Sequence, residues 1–163
     1  MRTFILLSAL PGSGKSTWAH LFQKGHDNVV IVSSDAIREQ LNGDASDVSN
    51  DANVWIEYRR QIIEYAKEEN ITVIGDSTNL SNKYRIYYAQ EAAPLYDKLI
   101  LVRFDVPYET CQKRNLGRFP GRVVPEFAMK SLLGEYEEPS KEALDLYHEV
   151  YVVDESGMTS RVK

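Results

Sequence analysis

The stretch Ala9-Leu10-Pro11-Gly12-Ser13-Gly14-Lys15-Ser16-Thr17 decides the fold of this chain. The apolar run Phe4-Ile5-Leu6-Leu7 precedes it, and Trp18-Ala19-His20-Leu21-Phe22 follows it and reads as a helix. Strand, glycine-rich turn and helix in that order are the context a phosphate-binding loop requires. Gly12 and Gly14 let the backbone fold so that successive N–H groups point inward at phosphate oxygens. The start of the helix adds its positive dipole end. Pro11 to Thr17 is therefore the expected nucleotide-binding segment, with Lys15 reaching the β- and γ-phosphates and the Ser16 hydroxyl taking a place on Mg²⁺. The motif's usual first glycine falls on Ala9, which is acceptable if its φ is negative. The competing reading is an ordinary strand-to-helix turn containing a chance Gly-Lys-Ser, and the flanking strand and helix argue against it.

Working outward, the apolar runs Val29-Val30-Ile31-Val32, Ile71-Thr72-Val73-Ile74, Leu99 to Phe104 and Glu149 to Val153 read as further strands. Helical patterns separate them. The first runs from Lys15 to about Lys24, and a short one from Ala36 to Leu41 is capped by Ser33-Ser34-Asp35. A long one spans about Asp51 to Asn70, with a stripe of Trp55, Ile62 and Ala66 flanked by Ile56 and Ile63. A tyrosine-rich helix runs from Ser81 to about Ala93, and two more are opened by Pro107 and Pro125. Leu116 to Val124, with two glycines, a proline and two arginines, reads as a loop. Alternating strands and helices predict an α/β fold, a three-layer α/β/α sandwich with a mostly parallel central sheet of about five strands. The expected organisation is a single domain over 1–163, with an arginine-bearing helical lid at about 114–138 and a loose tail from about 155 to 163.

The bulk composition fits one sizeable core. The chain has 163 residues, 43% hydrophobic and 26% charged, as in a soluble globular protein. A net charge of −5 argues against a broad nucleic-acid footprint, though not against gripping one phosphate or a strand end. The lone Cys111 cannot form an internal disulfide, which fits the reducing cytoplasm. No apolar stretch is long enough to cross a membrane. His20, His26 and His148 show no metal-ligand spacing.

In such a sheet ligands sit beyond the carboxyl ends of the strands. The sequence places there the phosphate loop, then Asp35, then Asp76 with Thr78 and Asn79, then Asp105 and the helix leading to the arginine-bearing loop. A phosphate cradle, carboxylates and arginines suit phosphoryl transfer, which needs a held nucleotide, an oriented acceptor and neutralised charge. Asp35 is either a plain helix cap or a general base for an acceptor hydroxyl. Arg38, three residues on, shares its helix face and suits a neighbouring phosphate. Asp76 is expected to reach Mg²⁺ through water, or to hold Ser16 or Arg38 in place. Arg118 and Arg122 are candidate lid arginines for transition-state charge, with Arg114 able to serve instead of either. Thr78 and Asn79 are candidates to anchor that loop or the substrate.

Taken together these residues resemble the kinase domain of phage and bacterial polynucleotide 5′-hydroxyl kinases, and the same core also resembles zeta-toxin-like and other small-molecule kinases. The resemblance rests on Leu10 to Thr17, on Ser34-Asp35 with Arg38, on Asp76-Ser77-Thr78-Asn79-Leu80, on Phe104-Asp105-Val106-Pro107, and on Lys113-Arg114-Asn115 leading to Arg118, Arg122 and Val124-Pro125. It implies ATP, or another nucleoside triphosphate, with Mg²⁺ on Lys15 and Ser16, and Asp35 as general base. Arg38 would contact the phosphate next to the acceptor nucleoside, and Arg118 with Arg122 would meet the donor phosphates. The implied partner is the 5′-OH end of DNA or RNA, held through a short single-stranded contact. Two alternatives stay open: a kinase of a small metabolite, nucleoside or sugar nucleotide, and a module that only binds or hydrolyses ATP.

Overall fold

The computed structural model describes residues 1–163. In chain order the elements are β1 (Arg2–Ser8), α1 (Lys15–Gly25), β2 (Val29–Ser33), α2 (Ser34–Asn42), α3 (Asp51–Tyr65), β3 (Ile71–Asp76), α4 (Asn82–Ala92), β4 (Lys98–Asp105) and α5 (Tyr108–Leu116). A 3₁₀ turn at Pro120–Arg122, α6 (Glu126–Glu135), α7 (Lys141–Asp145), β5 (Glu149–Asp154) and β6 (Thr159–Arg161) complete the chain. The sheet order is β2-β3-β1-β4-β5-β6. The first five strands run parallel and β6 returns antiparallel along β5.

The central strand shows why the sheet is covered on both faces. Phe4 and Leu6 enter one core cluster with Val54, Tyr58, Ile62 and Ala89, while Ile5 and Leu7 enter a second with Ala19, Cys111 and Met129. A strand's side chains alternate between faces, so an unbroken apolar run feeds two layers at once. Helices α3, α4 and α7 cover one face, and α1, α5 and α6 the other.

Three details differ from the sequence expectation. The sheet has six strands, and the sixth lies in the stretch expected to be a loose tail; Met158 O accepts from Asp154 N to close that hairpin the other way. Helix α3 ends at Tyr65, short of Asn70. Its buried stripe is Val54, Tyr58 and Ile62, continued by Ala66, so the expected Ile62 and Ala66 lie on it, whereas Trp55, at 36% exposed, and the exposed Ile56 fall outside it. Large apolar side chains alone could not set that phase, because the sheet accepts Tyr58 with its hydroxyl bonded to Ser77.

Candidate functional site

At the end of β1 the chain turns through the phosphate loop. Gly12 and Gly14 both sit in the left-handed region, at φ 82° and 94°. A Cβ on Gly12 would also run into the backbone carbonyl of Cys111. Ala9 is buried, keeps a negative φ, and donates its N–H to Thr78 O at 2.8 Å, so the departure from the usual glycine is accommodated. Lys15 opens α1 and is 7% exposed. The Ser13 hydroxyl is buried without a hydrogen-bond partner in the protein. Such an orphan beside a cradle of backbone N–H groups fits a phosphate oxygen.

Two cavities flank this loop. A smaller one of about 290 Å³ is lined by Ser13, Gly14, Thr17, Trp18, Arg114 and the Asp154–Gly157 turn. A larger one of about 940 Å³ is lined by Pro11, Lys15, Asp35, Arg38, Arg118 and Arg122, among others. Arg114 braces the loop to that turn: Nη1 donates to Ser13 O at 3.4 Å and Nη2 to Glu155 O at 2.9 Å. The sequence offered Arg114 as a substitute lid arginine; the structure holds it on the small-cavity side.

Asp35 is not the cap of α2. Ser33 is, its Oγ accepting from Ala36 N at 3.1 Å. The Asp35 carboxylate is thereby left to face the large cavity, where it is gripped by two guanidinium groups. Arg38 Nη1 donates to Oδ1 at 2.9 Å and Arg118 Nη2 to Oδ2 at 3.2 Å. Arg38 is buried and heavily committed. Its Nε donates to Asp51 Oδ1 at 2.9 Å, its Nη2 to Asp51 Oδ2 at 3.3 Å, and Nη1 also reaches Ala45 O at 3.5 Å. Four of the five N–H donors of a guanidinium are therefore in use, which leaves one on Nη2 for a substrate phosphate.

The lid rests on α2 through a second pair. Arg122 donates from Nε and Nη2 to the two carboxylate oxygens of Glu39, at 2.5 and 3.0 Å. That fork–fork contact holds the Glu39 carboxyl below its usual range and raises Arg122. Both sequence-expected lid arginines thus meet carboxylates of α2 across the mouth of the large cavity.

Asp76, buried at the end of β3, accepts from Ser16 Oγ at 2.9 Å and does not contact Arg38. A hydroxyl and a carboxylate side by side, next to a phosphate cradle, are the hard oxygen donors that Mg²⁺ takes together with substrate phosphates. Asn79 is a brace, at φ 44°, its Nδ2 donating to Leu7 O at 2.8 Å and to Ser77 Oγ at 2.7 Å. Sequence reasoning missed Asp51 and Glu39. Both are acidic residues on polar helix faces, and only their partners, distant along the chain or on another element, distinguish them from solvated charges.

Residues 5–139 match a family model described as an AAA domain, and the chain belongs to that family. Over 151 residues the chain is 28% identical to the L-seryl-tRNA(Sec) kinase of Methanococcus maripaludis, covering 87% of this chain and 56% of that protein. The chain thus spans about half the length of this curated relative. Among solved structures, a chain of the Pnkp1/Rnl/Hen1 RNA repair complex superposes with a TM-score of 0.71 at 25% identity, over 82% of this chain and 43% of that one. A chain of the PezAT toxin–antitoxin system of Streptococcus pneumoniae matches with a TM-score of 0.67 at 18% identity, over 100% of this chain and 70% of that one, and shares the fold. The fold is that of a P-loop kinase.

Proposed function

We propose that this member of the AAA-domain family is an ATP-dependent kinase that moves the γ-phosphate of ATP to the 5′-hydroxyl of a DNA or RNA end. The observation that carries the reading is the position of Asp35: released from capping by Ser33, it lines the same cavity as Lys15 of the phosphate loop. The likeness to a chain of an RNA repair complex supports a nucleic-acid end as acceptor.

The donor phosphates would be held by Pro11 to Thr17, with Lys15 on the β- and γ-phosphates and the Ser13 hydroxyl on a further oxygen. The donor base would lie in the small cavity beside Trp18 and Arg114. Ser16, with Asp76 beside it, would hold Mg²⁺, which when bound would supply positive charge against the donor phosphates. Asp35 takes the proton of the acceptor hydroxyl. The acceptor oxygen bonds to the γ-phosphorus while the bond from that phosphorus to the β–γ bridging oxygen breaks, releasing ADP. For this, Arg118 leaves Oδ2 of Asp35 and moves onto the donor phosphates, so that the base is freed as the lid arginine is engaged. Arg38 aims Asp35 through Oδ1 and offers its remaining N–H to the phosphate next to the acceptor nucleoside.

The test is transfer of labelled γ-phosphate to 5′-OH oligonucleotides, with Lys15→Ala and Asp35→Asn. Loss of a general base lowers the rate by about 10²–10⁴-fold, while ATP binding by Asp35→Asn stays nearly intact. Full activity in Asp35→Asn removes the base. The 28% likeness to a seryl-tRNA kinase favours a second reading, in which the acceptor hydroxyl is carried by a tRNA-linked serine. Seryl-tRNA and free hydroxyl metabolites as competing acceptors decide between the readings.

A further inference from the structure

The large cavity does not end at Asp35. It runs past Asp51 to a wall built by α3 and α4, where Trp55, Tyr84, Tyr87 and Tyr88 line it, with Phe127 of α6 also on the lining. At about 940 Å³ it stands near the top of the range of about 300–1,000 Å³ usual for ligand pockets, larger than one acceptor nucleoside needs. The aromatic wall is presented, not buried: Trp55, Tyr84 and Tyr87 are 36%, 46% and 41% exposed.

Trp55 and Tyr87 are backed by a ladder of rings. Trp55 meets the buried Tyr58 edge to face at 5.5 Å, Tyr58 meets Tyr88 at 5.4 Å, and Tyr88 meets Tyr87 at 5.1 Å. Ser77 Oγ donates to Tyr58 Oη at 3.0 Å, tying this ladder to the loop that follows β3. A Cβ on Gly75 would crowd the same hydroxyl. Two cations line the same cavity: Lys83, which lies over the Tyr84 ring at 5.6 Å, and Arg59, which also donates to Glu91 at 3.1 Å. Exposed rings fixed from behind, with basic side chains beside them, form the stacking platform used for single-stranded nucleic acid, in which bases stack and cations follow the backbone. The chain's net charge of −5 argues against a broad nucleic-acid footprint and for a local contact.

We propose that Trp55, Tyr84 and Tyr87 form a subsite that stacks the bases following the acceptor nucleoside of a single-stranded acceptor, with Lys83 and Arg59 on its backbone. This rests on the nucleic-acid reading of the acceptor, and its test is binding, not turnover. Trp18 and Trp55 are the two tryptophans, so Trp18→Phe leaves Trp55 as sole reporter. In that variant, Trp55 emission is quenched by a 5′-OH tetranucleotide, DNA or RNA, and not by a nucleoside 3′-monophosphate. By anisotropy of a labelled tetranucleotide, Trp55→Ala raises Kd about ten-fold. Trp55→Phe recovers most of the affinity, and monophosphate binding is unchanged in both. Equal quenching by monophosphate and tetranucleotide, or unchanged tetranucleotide affinity in Trp55→Ala, overturns the proposal. Length-dependent quenching without phosphate transfer to any oligonucleotide by the wild-type protein upholds the subsite and sinks the kinase reading. Transfer with neither quenching nor length dependence does the reverse. A difference between the DNA and RNA arms assigns the strand.

Discussion

Asp51 provides the sharpest test of how the site is held. It grips the buried Arg38 through both carboxylate oxygens, at 2.9 and 3.3 Å. A guanidinium and a carboxylate with centres about 4 Å apart attract by about 4 kcal/mol at the effective dielectric of such a site, and desolvation offsets much of it. Removing one partner of a fully buried pair costs about 3–5 kcal/mol. Here the Asp51 side chain is 31% exposed and Arg38 keeps Asp35, so Asp51→Ala should cost about 1–2 kcal/mol. For a chain of this length that lowers Tm by about 2–8 °C. The function should change in a specific way. Arg38, no longer held side-on, swings about its remaining Nη1 contacts to Asp35 and Ala45, so the acceptor KM rises about ten-fold for a lost charge-assisted contact. The ATP KM stays put, because nothing on the phosphate loop touches Asp51. Asp51→Asn keeps one acceptor oxygen and should fall between wild type and Asp51→Ala in both readouts. Thermal melts with separate KM values for ATP and acceptor decide it. A lowered Tm with an unchanged acceptor KM, or a raised ATP KM, would refute the assignment of Arg38 to the acceptor side.

Four further outcomes follow from particular positions. Gly12→Ala places a Cβ against the Cys111 carbonyl at a left-handed φ, costing about 2–5 kcal/mol and abolishing stabilisation by added nucleotide in a thermal melt; Gly134→Ala, in open space on α6, should instead raise stability by about 0.5–1 kcal/mol. The Glu39 carboxyl is held low by Arg122, so the lid clamp is present above its usual range near 4.5 and is lost as pH falls through the lowered value. Hydrogen exchange of the lid backbone should therefore be slower in wild type than in Glu39→Gln at pH 6.5, and the gap should close in acid. Arg85 is fully buried and donates to Ser8 Oγ, Asn82 Oδ1, Leu80 O and Glu137 O, so Arg85→Met strands these acceptors and should cost about 3–5 kcal/mol by chemical denaturation; a loss under 1 kcal/mol would contradict its bracing role.

Much of the architecture was legible because it is written in local terms. Val29–Ser33, Ile71–Asp76 and Lys98–Asp105 are short apolar runs bounded by polar turns, and they became strands close to where periodicity put them. The phosphate loop was legible because glycine at a left-handed φ and an adjacent lysine serve a requirement of a single turn. The first half of the α3 stripe was not, although Ile62 and Ala66 were, since Tyr58 outranks Trp55 only once the Ser77 hydroxyl and Gly75 are in place beneath it. Nor was β6, a strand of exposed residues that exists because β5 offers it an edge.

The same division runs through the site. Chain order alone puts Lys15, Asp35, Asp76 and the lid arginines near the strand ends, because parallel βα units deliver each strand's following loop to one edge of the sheet. What each carboxylate does was decided in three dimensions. Ser33 takes the cap and frees Asp35; Asp51 claims most of Arg38; Glu39 holds Arg122. These pairings span up to 83 residues, and side chains that far apart along the chain carry no mutual signal until the fold brings them within a hydrogen bond.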